Sequence, residues 1–333
     1  MKTSIQQNPF LKLYKQDHNI LKKNLIKKKS KRLIKELYVH NYNNFSKHWC
    51  KLQFDWLSGN YKSFKDIDIY LILVYLFYQE LSFFNRSNIN QSYDDIFLRK
   101  KNIEFRNIQK TQISKFLRIP EETVRRKISK LFNLKILASD KNSNQFLLEG
   151  IKIFKPNQTL ANLSKLLYEV YKVNYENKVI LQSLSQEEII KRIKSNFTKV
   201  WIVWYEFQFH YLNRARQKTG DLMNFLVFAC VWYNKIINFT SKYPNNTGKQ
   251  SLISKSFISN QITGINALSI SEVLNMPRAT VIRRLKYLEK FIFKDDNKLY
   301  HFRADKIKEF EKVQKETIKD LDNFCENIYE IIK

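Results

Sequence analysis

The chain has 333 residues, 44% of them hydrophobic and only five each glycine and proline. That is enough apolar material for real cores, and it excludes wholesale disorder and a turn-rich all-β fold. Lys and Arg (59) outnumber Asp and Glu (31), a formal charge of +28, which points to a polyanionic partner, nucleic acid ahead of an anionic membrane surface.

In chain order, residues 1–10 are polar and carry no signal-peptide core. Residues 21–37 set Lys22, Lys23, Lys27, Lys28, Lys29, Lys31, Arg32 and Lys35 against the single acid Glu36. They read as a basic arm tracking phosphates or, through Leu21, Leu25, Leu33, Ile34 and Leu37, as a helix packed on the body. A helix bearing Trp49, Gln53, Phe54, Trp56 and Leu57 follows. Asp66 then suits the N-terminus of an apolar helix over 67–78. The longest apolar run, 69–78, is shorter than the roughly 20 residues that span a bilayer, so a soluble, cytoplasmic protein with no membrane partner is expected.

Residues 111–117 predict a short helix with Ile113, Phe116 and Leu117 inward. From Pro120 on, Val124, Ile128 and Leu131 recur at i, i+4 and i+7, one face of a second helix, with Glu121 and Glu122 favourable in its first turn. So short a connection forces a sharp crossing, the helix-turn-helix arrangement. Two β-prone runs, 136–139 and 145–148, flank a turn cluster at 140–144 and predict a hairpin. Leu160, Leu163, Leu167 and Val170 form an apolar stripe that packs units together or joins chains. Ser185 and Glu188 have capping-box spacing.

The second half repeats the first. Trp204, Gln208, Phe209 and Leu212 match Trp49, Gln53, Phe54 and Leu57 at a constant offset of 155, which also carries Asp66 onto Asp221. The aromatic run 201–211 therefore reads as core or helix interface rather than as a ligand pocket. The polar loop 239–268 separates it from a second motif. Ile270, Ser271, Leu274, Pro277, Thr280, Val281 and Arg283 match Ile113, Ser114, Leu117, Pro120, Thr123, Val124 and Arg126 at an offset of 157, and a second hairpin is predicted from 291–294 and 299–302 around 295–298. Ile307, Phe310, Leu321, Phe324 and Ile328 form a closing stripe. The expected organisation is a basic arm or helix (1–40), a first unit (41–156), connecting helices (157–200), a second unit (201–303) and a C-terminal helix (304–333). Helices 160–173 and 304–332 are candidates for self-association.

The pattern Ile-Ser-x-x-Leu-x-x-Pro-x-x-Thr-Val-x-Arg, followed by a helix ending in Leu and a hairpin, resembles bacterial winged helix-turn-helix regulators of the MarR and Crp types, over roughly 40 residues in each half. The resemblance implies a mainly α fold with two tandem winged helix-turn-helix domains, small β-hairpin wings and connecting helices. It also implies that the second helix of each motif enters the major groove of double-stranded DNA. No effector domain of the Crp type is visible, and an effector ligand is not specified.

With Val124, Ile128 and Leu131 inward, helical geometry turns Glu122, Arg126 and Ser129 outward, flanked by Thr123, Arg125 and Lys130. The second set is Arg278, Ala279, Arg283 and Lys286, flanked by Thr280, Ile282 and Tyr287. Arg126 and Arg283 suit a guanine edge, and Thr123 and Thr280 suit phosphate; Lys141, Asn142, Asn297 and Lys298 are the wing candidates. The second helix is the more basic, so it is expected to contribute more to affinity. No catalytic group, metal or cofactor is expected, because the three cysteines, five histidines and five glycines are scattered without ligand or phosphate-loop spacing. A sequence-specific regulator acting as a single-chain pseudo-dimer is the leading expectation. The alternatives are a plasmid- or phage-type replication initiator and a non-specific nucleoid- or RNA-associated protein.

Overall fold

The computed structural model describes residues 33, 42–99, 102–105, 108–139, 145–242 and 264–333. Most of the basic stretch 21–37, the wing candidates Lys141 and Asn142, and most of the polar loop 239–268 lie outside them. The fold is mainly α, as expected, and Leu33–Lys333 form one compact unit.

Helix α1 (Tyr42–Phe64) turns at Lys65, whose φ is positive, into α2 (Ile67–Arg86). Asp66 caps α2: its carboxylate accepts from the backbone N–H groups of Asp68 and Ile69 at 3.0 and 3.3 Å. A short helix, α3 (Tyr93–Phe97), leads to strand β1 (Asn102–Phe105). Helices α4 (Lys110–Leu117) and α5 (Glu121–Asn133) come next, then strands β2 (Leu137–Ser139) and β3 (Gln145–Leu148). The sheet is antiparallel in the order β1-β3-β2, so a third strand joins the expected hairpin. Helices α6 (Gly150–Phe154), α7 (Pro156–Glu176) and α8 (Gln186–Ser195) follow, α8 opened by the Ser185–Glu188 capping box.

Among the described residues the main elements then recur in the same order, without described counterparts of α3, β1 and α6. Helix α9 (Phe197–Thr219) has the 23 residues of α1 at an offset of 155; it begins four residues before the expected unit boundary at 201. Gly220, at φ +82, occupies the turn that Lys65 occupies in the first half. That φ is one that side-chain-bearing residues rarely adopt, so this turn favours glycine. Helix α10 (Leu222–Lys242), α11 (Ala267–Leu274), α12 (Arg278–Tyr287) and the hairpin β4 (Ile292–Lys294) and β5 (Tyr300–Phe302) come next. The pairings Leu137–Leu147 and Ile292–Phe302 share the offset of 155, as do the next two rungs of each hairpin. Beside β5, the described residues of the second half form a bridge, Ile265 to Tyr300. Helix α13 (Ile307–Ile332) closes the chain.

The core is built by crossed packing. Helix α1 lies on α10 of the other half, and α9 lies on α2; α7 covers α1 as α13 covers α9. Ring contacts repeat in the same sense. Trp49 meets Tyr211 edge-on at 5.6 Å and Trp204 meets Trp56 edge-on at 6.0 Å, while Phe54 packs on Tyr233 as Phe209 packs on Tyr78. At the same helices Gln53 and Gln208 are buried with neither amide atom hydrogen-bonded. Trp201, Trp204, Tyr205, Phe207 and Phe209 of the run 201–211 are accordingly core, as read from the repeat.

One expectation is met and one needs correction. The apolar stripes on α7 and α13 are buried within the chain (Leu163, Leu167, Leu321 and Ile328 are all fully covered), in keeping with the reading that they pack the units together. Helices α2 and α10, however, do reach bilayer-spanning length and apolarity, because each continues beyond its most apolar run; 72% and 56% of their most apolar 18-residue stretches are buried inside the protein, which is core-helix behaviour.

Candidate nucleic-acid interface

Each short helix pair is locked by its own backbone chemistry. Helix α4 ends at Arg118 and α11 at Asn275, both left-handed, at φ 55 and 51. In each turn a serine hydroxyl on the first helix donates to the carbonyl just before the proline: Ser114 to Ile119 at 2.7 Å, Ser271 to Met276 at 2.6 Å. The N–H of Ile119 and that of Met276 return bonds to the same serines' carbonyls. Pro120 and Pro277 then stand as helix caps, where a missing N–H costs nothing.

Helices α5 and α12 bury one stripe each: Val124, Ile128 and Leu131 in the first, Val281 and Leu285 in the second. They are also pinned electrostatically. Lys127 of α5 reaches back to Asp66, the cap of α2, and Arg284 of α12 reaches Asp221 at the head of α10. These cations are 157 residues apart and their acids 155, so the two ion pairs occupy matching places. Arg284 also donates to Asn224 at 3.0 Å. Sequence reading missed both cations. A lysine or arginine beside a run of exposed cations looks solvated, and only the long-range partner reveals it.

The remaining side chains divide as the helical period requires. In α5 Glu122, Arg125, Arg126, Ser129 and Lys130 are exposed and Thr123 is half-buried. Arg125 is not free: it forms a two-pronged pair with Glu122, at 2.8 and 2.7 Å, and this pairing holds the Glu122 carboxyl below its usual range. The Ser129 hydroxyl donates to the Arg125 carbonyl at 3.1 Å. In α12 Arg278, Ala279, Ile282, Arg283, Lys286 and Tyr287 are exposed and Thr280 is half-buried. Asn297 and Lys298 sit exposed at the tip of the second hairpin, Lys298 at φ 63. No protein-family model matches this chain, and no curated protein or solved structure does either. Function is therefore read from geometry.

The two outward faces differ in charge. Helix α5 carries Glu121 and Glu122 in its first turn, and one of its arginines is spent on Glu122. Helix α12 has no acid in its first turn and presents Arg278, Arg283 and Lys286 outward. Among the described residues no group of three His, Cys, Asp or Glu is placed to hold a metal ion.

Proposed function

We propose that the chain is a sequence-specific double-stranded DNA-binding protein, a regulator built from two copies of a winged helix-turn-helix unit that act together as a single-chain pseudo-dimer. The observation that carries this reading is the placement of Arg126 and Arg283. Each is exposed, at the same position of a helix held by the same proline turn, the same serine bond and a matching ion pair. An exposed guanidinium on such a helix can fork onto a guanine edge, while Thr123, Thr280, Lys130 and Lys286 reach phosphate. A hairpin follows each helix, and in the second half its tip presents Asn297 and Lys298, which can add polar contacts. The net charge of +28 supplies the salt-dependent attraction that any such protein needs.

Selection of bound duplexes from a random pool, followed by titration at fixed salt, tests the proposal. A preferred site should be bound about 10³-fold or more tightly than random duplex. Arg283→Ala should cost more affinity than Arg126→Ala, because the acids of α5 weaken its half of the interface. Lys286→Ala should weaken all sequences alike and lower the salt slope by about one. Equal affinity for selected and random duplexes would overturn sequence-specific reading. Mapping the selected site to promoters or to repeated origin elements separates a regulator from a replication initiator.

A further inference from the structure

Helices α5 and α12 share a scaffold and differ along one flank. At the offset of 157, Arg278, Ala279, Ile282 and Lys286 stand where Glu121, Glu122, Arg125 and Ser129 stand. Residues three and four positions apart are neighbours on a helix, so the other three of each set surround residue 282 or 125. In α5 this flank is closed on itself. Arg125 gives two prongs to Glu122, at 2.8 and 2.7 Å, and the Ser129 hydroxyl donates to the Arg125 carbonyl.

In α12 the flank is open. Ala279 has no carboxylate to hold a neighbour, and Ile282 is 45% exposed, with Arg278 one turn before it and Lys286 one turn after. Arg283, the next residue, is exposed beside it. The position of Ile282 is also fixed. Val281 and Leu285 on the same helix are buried, and Arg284 pins the helix to Asp221. A branched apolar side chain offers nothing to phosphate, which takes charge or hydrogen-bond donors. In the major groove it has one natural partner, because thymine alone presents a methyl group on its edge.

We infer that Ile282 reads a thymine methyl beside the guanine met by Arg283. Residue 125 makes no such contact, so the two half-sites differ at that base pair and the preferred site is asymmetric. This rests on the DNA reading proposed above and names one base that it specifies.

The experiment uses the full chain and a duplex selected from a random pool. Each thymine is replaced in turn by uracil, which pairs alike and lacks only the methyl group. At one thymine, in one half-site, the replacement should cost about fourfold in affinity, the worth of burying a single methyl group. Ile282→Ala should bind the thymine duplex less tightly and bind the thymine and uracil duplexes equally. If a C·G pair is placed at that position, 5-methylation of the cytosine should raise the affinity of the wild type and not that of Ile282→Ala. Ile282→Arg, which copies residue 125, serves if the alanine variant loses its thermal transition, and it too should show no uracil penalty. A uracil penalty that persists in the variants, or a selected site with no methyl-dependent thymine, would overturn the inference and leave the DNA reading standing. Failure to select any preferred duplex would overturn that reading, and this inference with it.

Discussion

Asp66 does two things at once. One carboxylate oxygen caps α2 and the other takes the Lys127 ammonium, so a single side chain starts a buried helix and fixes the helix that carries Arg126. Lys127 is only 12% exposed at its side chain, which takes this pair out of the class of surface salt bridges that contribute little. Asp66→Ala should therefore lose a cap, about 1 kcal/mol, and strand a largely buried cation, for a total of about 2–3 kcal/mol. The readout is the urea midpoint of the full chain. Lys127→Met keeps the cap and the aliphatic stem and should lose less. The exposed Glu122–Arg125 pair supplies the contrast: Arg125→Ala should leave the midpoint unmoved. A midpoint shift for Asp66→Ala no larger than for Arg125→Ala would show that the pair contributes nothing to the scaffold.

Among elements, the second hairpin carries a titratable clasp. The Asp295 carboxylate accepts from the Leu299 N–H at 2.8 Å and meets His301 Nε2 at 2.9 Å. The Leu299 bond, helped by His301, holds the Asp295 carboxyl below its ordinary value. A group whose folded pKa is depressed stabilises above its unfolded value, near pH 4, and loses that contribution as pH falls through the lower folded value. Amide shifts of Leu299 and Tyr300 followed by NMR should therefore move on acidification below pH 4, and Asp295→Asn should flatten that titration. At this scale much was legible. Helix period, the Asp66 and Ser185 caps and the proline turns are local signals, and they place α2, α5, α8 and both hairpins. Strand β1 was not legible, because only Ile103 and Phe105 of its four residues point inward, too few to establish an alternation. The ion pairs of Lys127 and Arg284 depend on which helix lies opposite, which no local pattern encodes. The outward residues of α5 and α12, by contrast, follow from the buried stripe alone, and so the candidate interface was readable before its scaffold was.

At the scale of the molecule, the crossed arrangement has a consequence for how the halves depend on each other. Helix α2 completes its burial against α9, and α10 against α1. Each half thus supplies the cover for the other's most apolar helix, one that passes for a membrane span by length and composition. Burial at about 25 cal/mol per Å² makes such a face costly to leave in water, and an exposed apolar face of that size drives aggregation. A chain ending at Asn177 contains α1 to α7 but lacks α9. It should associate or precipitate when expressed alone, with no sharp thermal transition. Co-expression with residues 178–333 should restore a 1:1 complex that melts cooperatively. Size-exclusion chromatography and near-ultraviolet circular dichroism distinguish the outcomes. A monomeric, cooperatively melting first half would mean that the two units are independent beads whose contact is incidental. If they are interdependent, the relative placement of Arg126 and Arg283 is fixed by a shared core, and the spacing between two half-sites on DNA would be a property of the fold itself.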